Sequence, residues 1–259
     1  MSWLAHTSAG YSIVLALLFA LAAGLVGSFA LMKRMLLAGD VISHLALPGF
    51  GLAFLLKINP LLGAATTLFL GTLLIWQLQK KTGLATENVI GVVFAAALGI
   101  GAAITPSDEL IEALFGKNHA TSLLGFLLGA LAVVFIIVGI WKLRDRLVLT
   151  LFSPELAMAT GVKVDRVNLC FLLLFSLTIL VGLRFMGALL AGSLIILPAA
   201  IGRRLTNKMS HFLIASSVAS AVSVGAGLLL NAAVPKFGLG PSIVMVAALL
   251  LAISLFKRP

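Results

Sequence analysis

Long uncharged stretches separated by short polar clusters recur nine times along the 259 residues. They occupy about residues 11–32, 40–56, 61–78, 88–105, 121–141, 167–183, 185–201, 211–233 and 242–256. Each approaches the roughly 20 apolar residues that an α-helix needs to cross a bilayer. The pattern predicts an all-α, polytopic integral membrane protein of eight or nine transmembrane helices. Nine is the direct count, and eight results if one short run is re-entrant or merges with its neighbour. The runs consume nearly the whole chain, which leaves one domain, residues 1–259, and no room for a separate soluble domain of ordinary size.

The interruptions carry their own signals. Lys33 and Arg34 close the first run, Lys57, Asn59 and Pro60 form a tight turn, and Lys80 and Lys81 close the third run. Glu87 fits the first turn of the fourth helix, where the dipole favours an acid. Residues 105–119, TPSDELIEALFGKNH, are the most acidic stretch and predict a short amphipathic helix at a membrane surface. The longest interruption, residues 142–166, is too charged at both ends to span, yet it encloses the compact segment SPELAMATG. There Ser153 fits an N-cap, Pro154 the first helical residue and Gly161 the stop. The sixth and seventh runs are divided only by Arg184.

Composition agrees with the pattern, at 61% hydrophobic and 10% charged residues. A net charge of +10 would suggest nucleic acid in a soluble protein. Here the basic residues fall in short loops and report topology, so no nucleic-acid partner is expected. Lys57, Lys117, Arg184 and Lys236 lie in loops of one side, and the other fourteen of the eighteen Lys and Arg lie in loops of the opposite side. That asymmetry predicts an N-terminus outside, a C-terminus in the cytoplasm and a cytoplasmic SPELAMATG helix. The N-terminal segment lacks the positive n-region of a cleavable signal. A single Cys170 excludes a disulfide framework within one chain. The GKN at residues 116–118 lacks the hydroxyl residue of a phosphate loop, and no GxxxxGK[ST] occurs, so ATP is not bound that way.

The candidate chemistry centres on GDVISHLALPG, residues 39–49, where Asp40 and His44 stand four residues apart in an apolar run. On a helix they share a face. Ionisable groups inside a span face a water-filled path or a bundle interior, and Asp oxygen with His nitrogen suits zinc or manganese. Two ligands do not complete a site. The alternative is that Asp40 caps the helix and His44 hydrogen-bonds inside the bundle. Pro48 and Gly49 predict a kink or division near the middle of this run, as in the broken helices of transporters. Pro198 predicts a kink near the end of the seventh run. Gly24 with Gly27, and the GxxxG pair Gly125 and Gly129, predict close helix contacts. Ser193 lies in AGSLI rather than GxSxG, weak support for a hydrolase.

Four segments together carry a family resemblance: RMLLAGDVISHLALPG, ENVIGVVF, FMGALLAGSLIILPAA and GPSIV. In order and spacing over nearly the whole chain they resemble the membrane permeases of ABC-type zinc, manganese and iron uptake systems. The resemblance implies a permease homodimer in the plasma (inner) membrane, surrounded by lipid. It also implies two cytoplasmic ATP-binding subunits and an extracytoplasmic metal-binding protein. Hydrolysis would then belong to a separate chain, making this one a transporter subunit and no enzyme. It would bind no permanent cofactor, with the divalent metal as cargo and zinc favoured on resemblance alone. Residues 153–162 become the coupling helix, with Pro154, Glu155, Ala157, Ala159 and Gly161 toward the ATPase. Asp40 and His44 become metal-path residues. Lys117 and Lys236 depart from the family pattern. A proton-coupled secondary transporter would need more buried titratable groups, and an intramembrane hydrolase a nucleophile with a nearby base.

Overall fold

The computed structural model describes residues 2–35, 38–104 and 123–256, and every regular element among them is helical. The acidic stretch at residues 105–119, with Lys117, lies outside the described residues. Helix α1, Ser2–Met32, is the central post. It stops where Arg34 takes a left-handed φ of 58°. The Arg34 amide donates to Leu31 and the Met35 amide to Ala30, the paired bonds of a Schellman end. Residues 22–30 are buried on every side. A Cβ on Gly24 would collide with the Ser216 backbone, and one on Gly27 with the Ile195 carbonyl oxygen. These small residues let α1 cross two neighbours closely, as their spacing predicts.

The second run is divided, as Pro48 and Gly49 predict, but the division lies ahead of the proline. Helix α2, Ala38–Ser43, passes into a 3₁₀ turn, His44–Ala46, and then into α3, Leu47–Leu56. Pro48 occupies the first turn of α3, the one helical position where its missing N–H costs nothing. Helix α4, Pro60–Thr82, is capped by the Asn59 side chain, which accepts from the Leu61 amide at 2.9 Å. Gly49 and Gly63 face each other where α3 and α4 cross; a Cβ on either would strike the other's carbonyl oxygen. Helix α5 is Thr86–Ile104, with Glu87 in its first turn.

Two boundaries differ from the sequence expectation. Helix α6, Leu123–Phe152, continues eleven residues beyond Trp141, through KLRDRLVLTLF. Arg, Lys and Leu are good helix formers, and Leu147 and Thr150 keep one face buried. At about 45 Å it exceeds the hydrocarbon core by several turns. The sixth and seventh runs part at Gly187, not at Arg184. Helix α8 is Val164–Met186 and α9 is Ala188–Leu205, joined by Gly187 at φ 82°. Arg184 belongs to the last turn of α8, where a cation suits the dipole. The short α7, Pro154–Ala159, precedes α8. Helices α10, Met209–Ala233, and α11, Leu239–Phe256, complete the chain.

Eight segments among the described residues are long and apolar enough to cross a membrane, with α2 and α3 counting as one. Helix α9 is not one of them, yet it packs in the middle, against α1, α2, α8, α10 and α11. Contacts bring the basic termini together. Lys80 pairs with Asp165 at 3.5 Å, Lys33 donates to Asn168, Arg144 to Ser210 at 3.2 Å, and Arg204 to the Ser254 carbonyl at 3.4 Å. The C-terminal ends of α1, α4, α6, α9 and α11 thus share one end of the bundle with the N-terminal ends of α8 and α10. Helix α8 leaves that end and α9 returns to it. Lys57, Arg184 and Lys236 lie toward the other end.

Candidate functional site

The six residues of α2 hold Asp40 between two environments. Ala38, Gly39, Ile42 and Ser43 are buried, whereas Asp40 is exposed on the surface of the single chain. Its backbone rests on Gly192 of α9, where an added Cβ would come within 3.2 Å of the Asp40 Cα. Gly39 is in ordinary contact with Ile195, one turn along the same helix. Helix α2 begins at Ala38, so Asp40 stands inside its first turn rather than ahead of it as a cap.

His44 opens the 3₁₀ turn. The Ser43 hydroxyl donates to the Asp40 carbonyl at 2.6 Å, tying together the residues where the winding changes. The imidazole is half-buried, its ring centroid 5.6 Å from that of Phe94 on α5 and tilted by 54°. Its Nδ1 is buried and has no hydrogen-bond partner among the described residues. A buried nitrogen left unpaired is costly, and in the tautomer that leaves it a lone pair it suits a cation.

The neighbours fix this break in place. Leu45 fits over Gly71 of α4, and Leu47 and Pro48 press against Gly101 of α5. Pro198 is buried within α9, six residues beyond Gly192, and the helix runs on to Leu205. Among the described residues, no group of three or more His, Cys, Asp or Glu side chains converges to hold a metal. Asp40 and His44 supply two donors of different kind, an oxygen open to the surface and a nitrogen within. Both donor types are among those that bind divalent metals. Ser43, Phe94 and Gly192 were not found from the sequence. A buried serine, an aromatic wall and a glycine under a carboxylate leave no periodic signal.

The second candidate element is α7. Ser153 caps it by accepting from the Leu156 amide at 3.2 Å, and Gly161 follows at φ 80°. The Val162 amide bonds to Ala157 and the Gly161 amide to Met158, closing the end. The structure divides the residues expected to face an ATPase. Pro154, Glu155, Ala159 and Gly161 are exposed, but Ala157 is buried against the chain itself. Leu156, Met158 and Phe152 are large apolar side chains on the exposed side, Phe152 at 80%.

Between the two elements lies Lys33, just after α1. Its ammonium donates to the Asn168 side chain and sits 5.4 Å over the Phe171 ring. Burial pushes its pKa down to about 8. This link ties the chain entering α2 to the start of α8, close to α7.

The chain is similar to known proteins. The model of the ABC 3 transport family matches residues 9–258. The chain is 31% identical over 242 residues to the high-affinity zinc uptake system membrane protein ZnuB of Haemophilus influenzae, covering 90% of this chain and 91% of that one. It is 29% identical over 252 residues to the manganese import system permease protein ScaB of Streptococcus gordonii, covering 96% and 90%. Among solved structures it resembles PsaBC from Streptococcus pneumoniae in complex with Fab, with a TM-score of 0.81 and 27% identity over 96% of this chain and 91% of that one.

Proposed function

Because the chain belongs to the ABC 3 transport family, we propose that it is the membrane permease of an ATP-driven importer that moves a divalent transition metal into the cytoplasm. Zinc is the favoured cargo, with manganese and iron sharing the same donor chemistry. The observation that carries the reading is the buried Nδ1 of His44, without a hydrogen-bond partner among the described residues and set in a broken helix one turn from the exposed Asp40. A metal ion satisfies both donors for the time of its passage. Water, or a group from another helix or from the second permease of a pair, completes the coordination. Because only two donors come from α2 and its turn, the ion is held loosely enough to leave.

The remaining parts have matching roles. A homodimer covers the exposed face of α2. Two cytoplasmic ATPases dock on residues 153–162, and an extracytoplasmic binding protein delivers metal at the opposite end. The basic end of the bundle faces the cytoplasm, following the bias of Lys and Arg. Names of relatives support both a zinc and a manganese cargo. They favour neither a proton-coupled carrier nor a hydrolase.

The test is metal accumulation in cells carrying the chain with its cognate ATPase, compared across zinc, manganese and iron. Asp40→Asn and His44→Ala should each lower uptake at least tenfold, the loss of about 1.4 kcal/mol of transition-state interaction, at matched membrane levels. Wild-type uptake in both variants would remove the pair from the path. Uptake that survives a hydrolysis-dead ATPase but collapses with the proton gradient would assign the chain to secondary transport.

A further inference from the structure

A groove opens at the basic end of the bundle, between the last turns of α4 and the first turns of α8, beside the segment that the proposed function gives to the ATPase. Its volume is about 770 Å³; its walls include Trp76, Lys80, Lys163, Asp165, Arg166 and Cys170, and Met158 and Gly161 of the docking segment close one side. The groove is graded with depth. The candidate membrane span of α8 begins at Val164, which sets Lys163 and Arg166 at the level expected for the edge of a bilayer. Cys170 lies one turn further along α8, about 6 Å deeper. Trp76 lies one turn inside the Lys80 and Lys81 end of α4. Charges therefore form a rim and apolar groups form the floor beneath it.

Among the described residues, the charge on the rim is balanced only in part. Lys80 holds the Asp165 carboxylate at 3.5 Å and sits over the Trp76 ring. The Trp76 indole N–H donates to the Asp165 carbonyl at 3.0 Å, which fixes that wall. Lys163 and Arg166, both exposed, have no carboxylate partner among the described residues. Two free cations above an apolar slot at the level of the bilayer edge match one kind of occupant. We propose that this groove seats an anionic phospholipid, its phosphate on Lys163 and Arg166 and its acyl chain along Trp76, Leu169 and Cys170. Two cations at a membrane surface favour an anionic over a zwitterionic headgroup by roughly thirtyfold. The proposal needs only that the chain spans a bilayer, so it stands apart from the identity of the cargo.

Cys170 is exposed in the groove and is the only cysteine in the chain, so it reports occupancy directly. The full chain with its ATPase is reconstituted in nanodiscs of phosphatidylcholine alone or with phosphatidylglycerol, and Cys170 is labelled with a small neutral thiosulfonate. Phosphatidylglycerol should slow labelling several-fold. Lys163→Gln with Arg166→Gln should abolish that protection, whereas Arg203→Gln with Lys208→Gln, exposed basic residues of the same end outside the groove, should keep it. Native mass spectra should show phosphatidylglycerol retained by the wild type and lost from the first variant alone. Equal labelling in both lipids overturns the proposal, as does protection lost in both variants. Protection that follows the ATPase and ignores the lipid gives the groove to the ATPase and overturns it too.

Discussion

Single glycines decide whether α1 can be the post around which the bundle closes. A Cβ on Gly27 has the rigid Ile195 carbonyl in its way, and neither backbone can yield without moving α1 from α9. Gly27→Ala should therefore destabilise by on the order of 1–3 kcal/mol, the range for overpacking. A Cβ on Gly91 of α5 meets nothing, so Gly91→Ala should be neutral or up to about 1 kcal/mol stabilising. Thermal unfolding in detergent compares the two, and equal melting temperatures would contradict the packing. Lys33 gives a pH-dependent prediction at the same scale. Its pKa is lowered from 10.5 to about 8, so the folded chain gives up this proton before the unfolded chain does. Between those values the unfolded state binds more protons, and stability from this group rises with pH. The melting temperature of wild type relative to Lys33→Met should increase from pH 8 to 10.5; a flat difference would place the ammonium in water.

Elements were legible where the sequence states its own boundary and obscure where packing sets it. Asn59 with Pro60, Ser153 with Pro154, and Gly161 carry local instructions, and those ends lie where capping chemistry puts them. The end of α6 has no such instruction. Its charged residues read as a loop, although they continue a helix beyond the bilayer. Arg184 looked like a boundary because a charge interrupts an apolar run, yet the break needed the positive φ of Gly187. At the site, Asp40 and His44 were visible as polar residues in an apolar run. Gly192 and Phe94 were not, because they meet α2 and its turn only through tertiary packing. The same distinction sorts substitutions in α7. Ala159→Trp adds bulk to an exposed surface, so it should leave membrane level normal and lower ATPase assembly and metal uptake together. Ala157→Trp adds bulk against α6, where overpacking costs about 1–3 kcal/mol, so it should lower the amount of folded protein itself. Normal assembly and uptake with Ala159→Trp would remove α7 as the docking element.

At the scale of the whole molecule, the distribution of charge and the path of the chain constrain each other. The basic termini of seven helices meet at one end through contacts between residues far apart in sequence. An orientation rule based on Lys and Arg thus acts on a physical face of the bundle. Helix α9 is the decisive segment, because its 18 residues end in Arg203 and Arg204 and it is surrounded by other helices. If it traverses the bilayer, Arg184 and Lys208 lie on opposite sides and the termini do as well. If it were re-entrant, both residues would face the same side, and α10 and α11 would run the other way. In a Cys170→Ser background, Arg184→Cys and Lys57→Cys should react with an impermeant maleimide on intact cells, and Lys208→Cys and Lys81→Cys only after the membrane is opened. Lys208→Cys labelled from outside would reverse the last third of the chain and put the basic end of α10 on the wrong side of the membrane. Arg184→Cys shielded together with Lys208→Cys would place the α8–α9 turn on the cytoplasmic side, and α8 would then fail to cross.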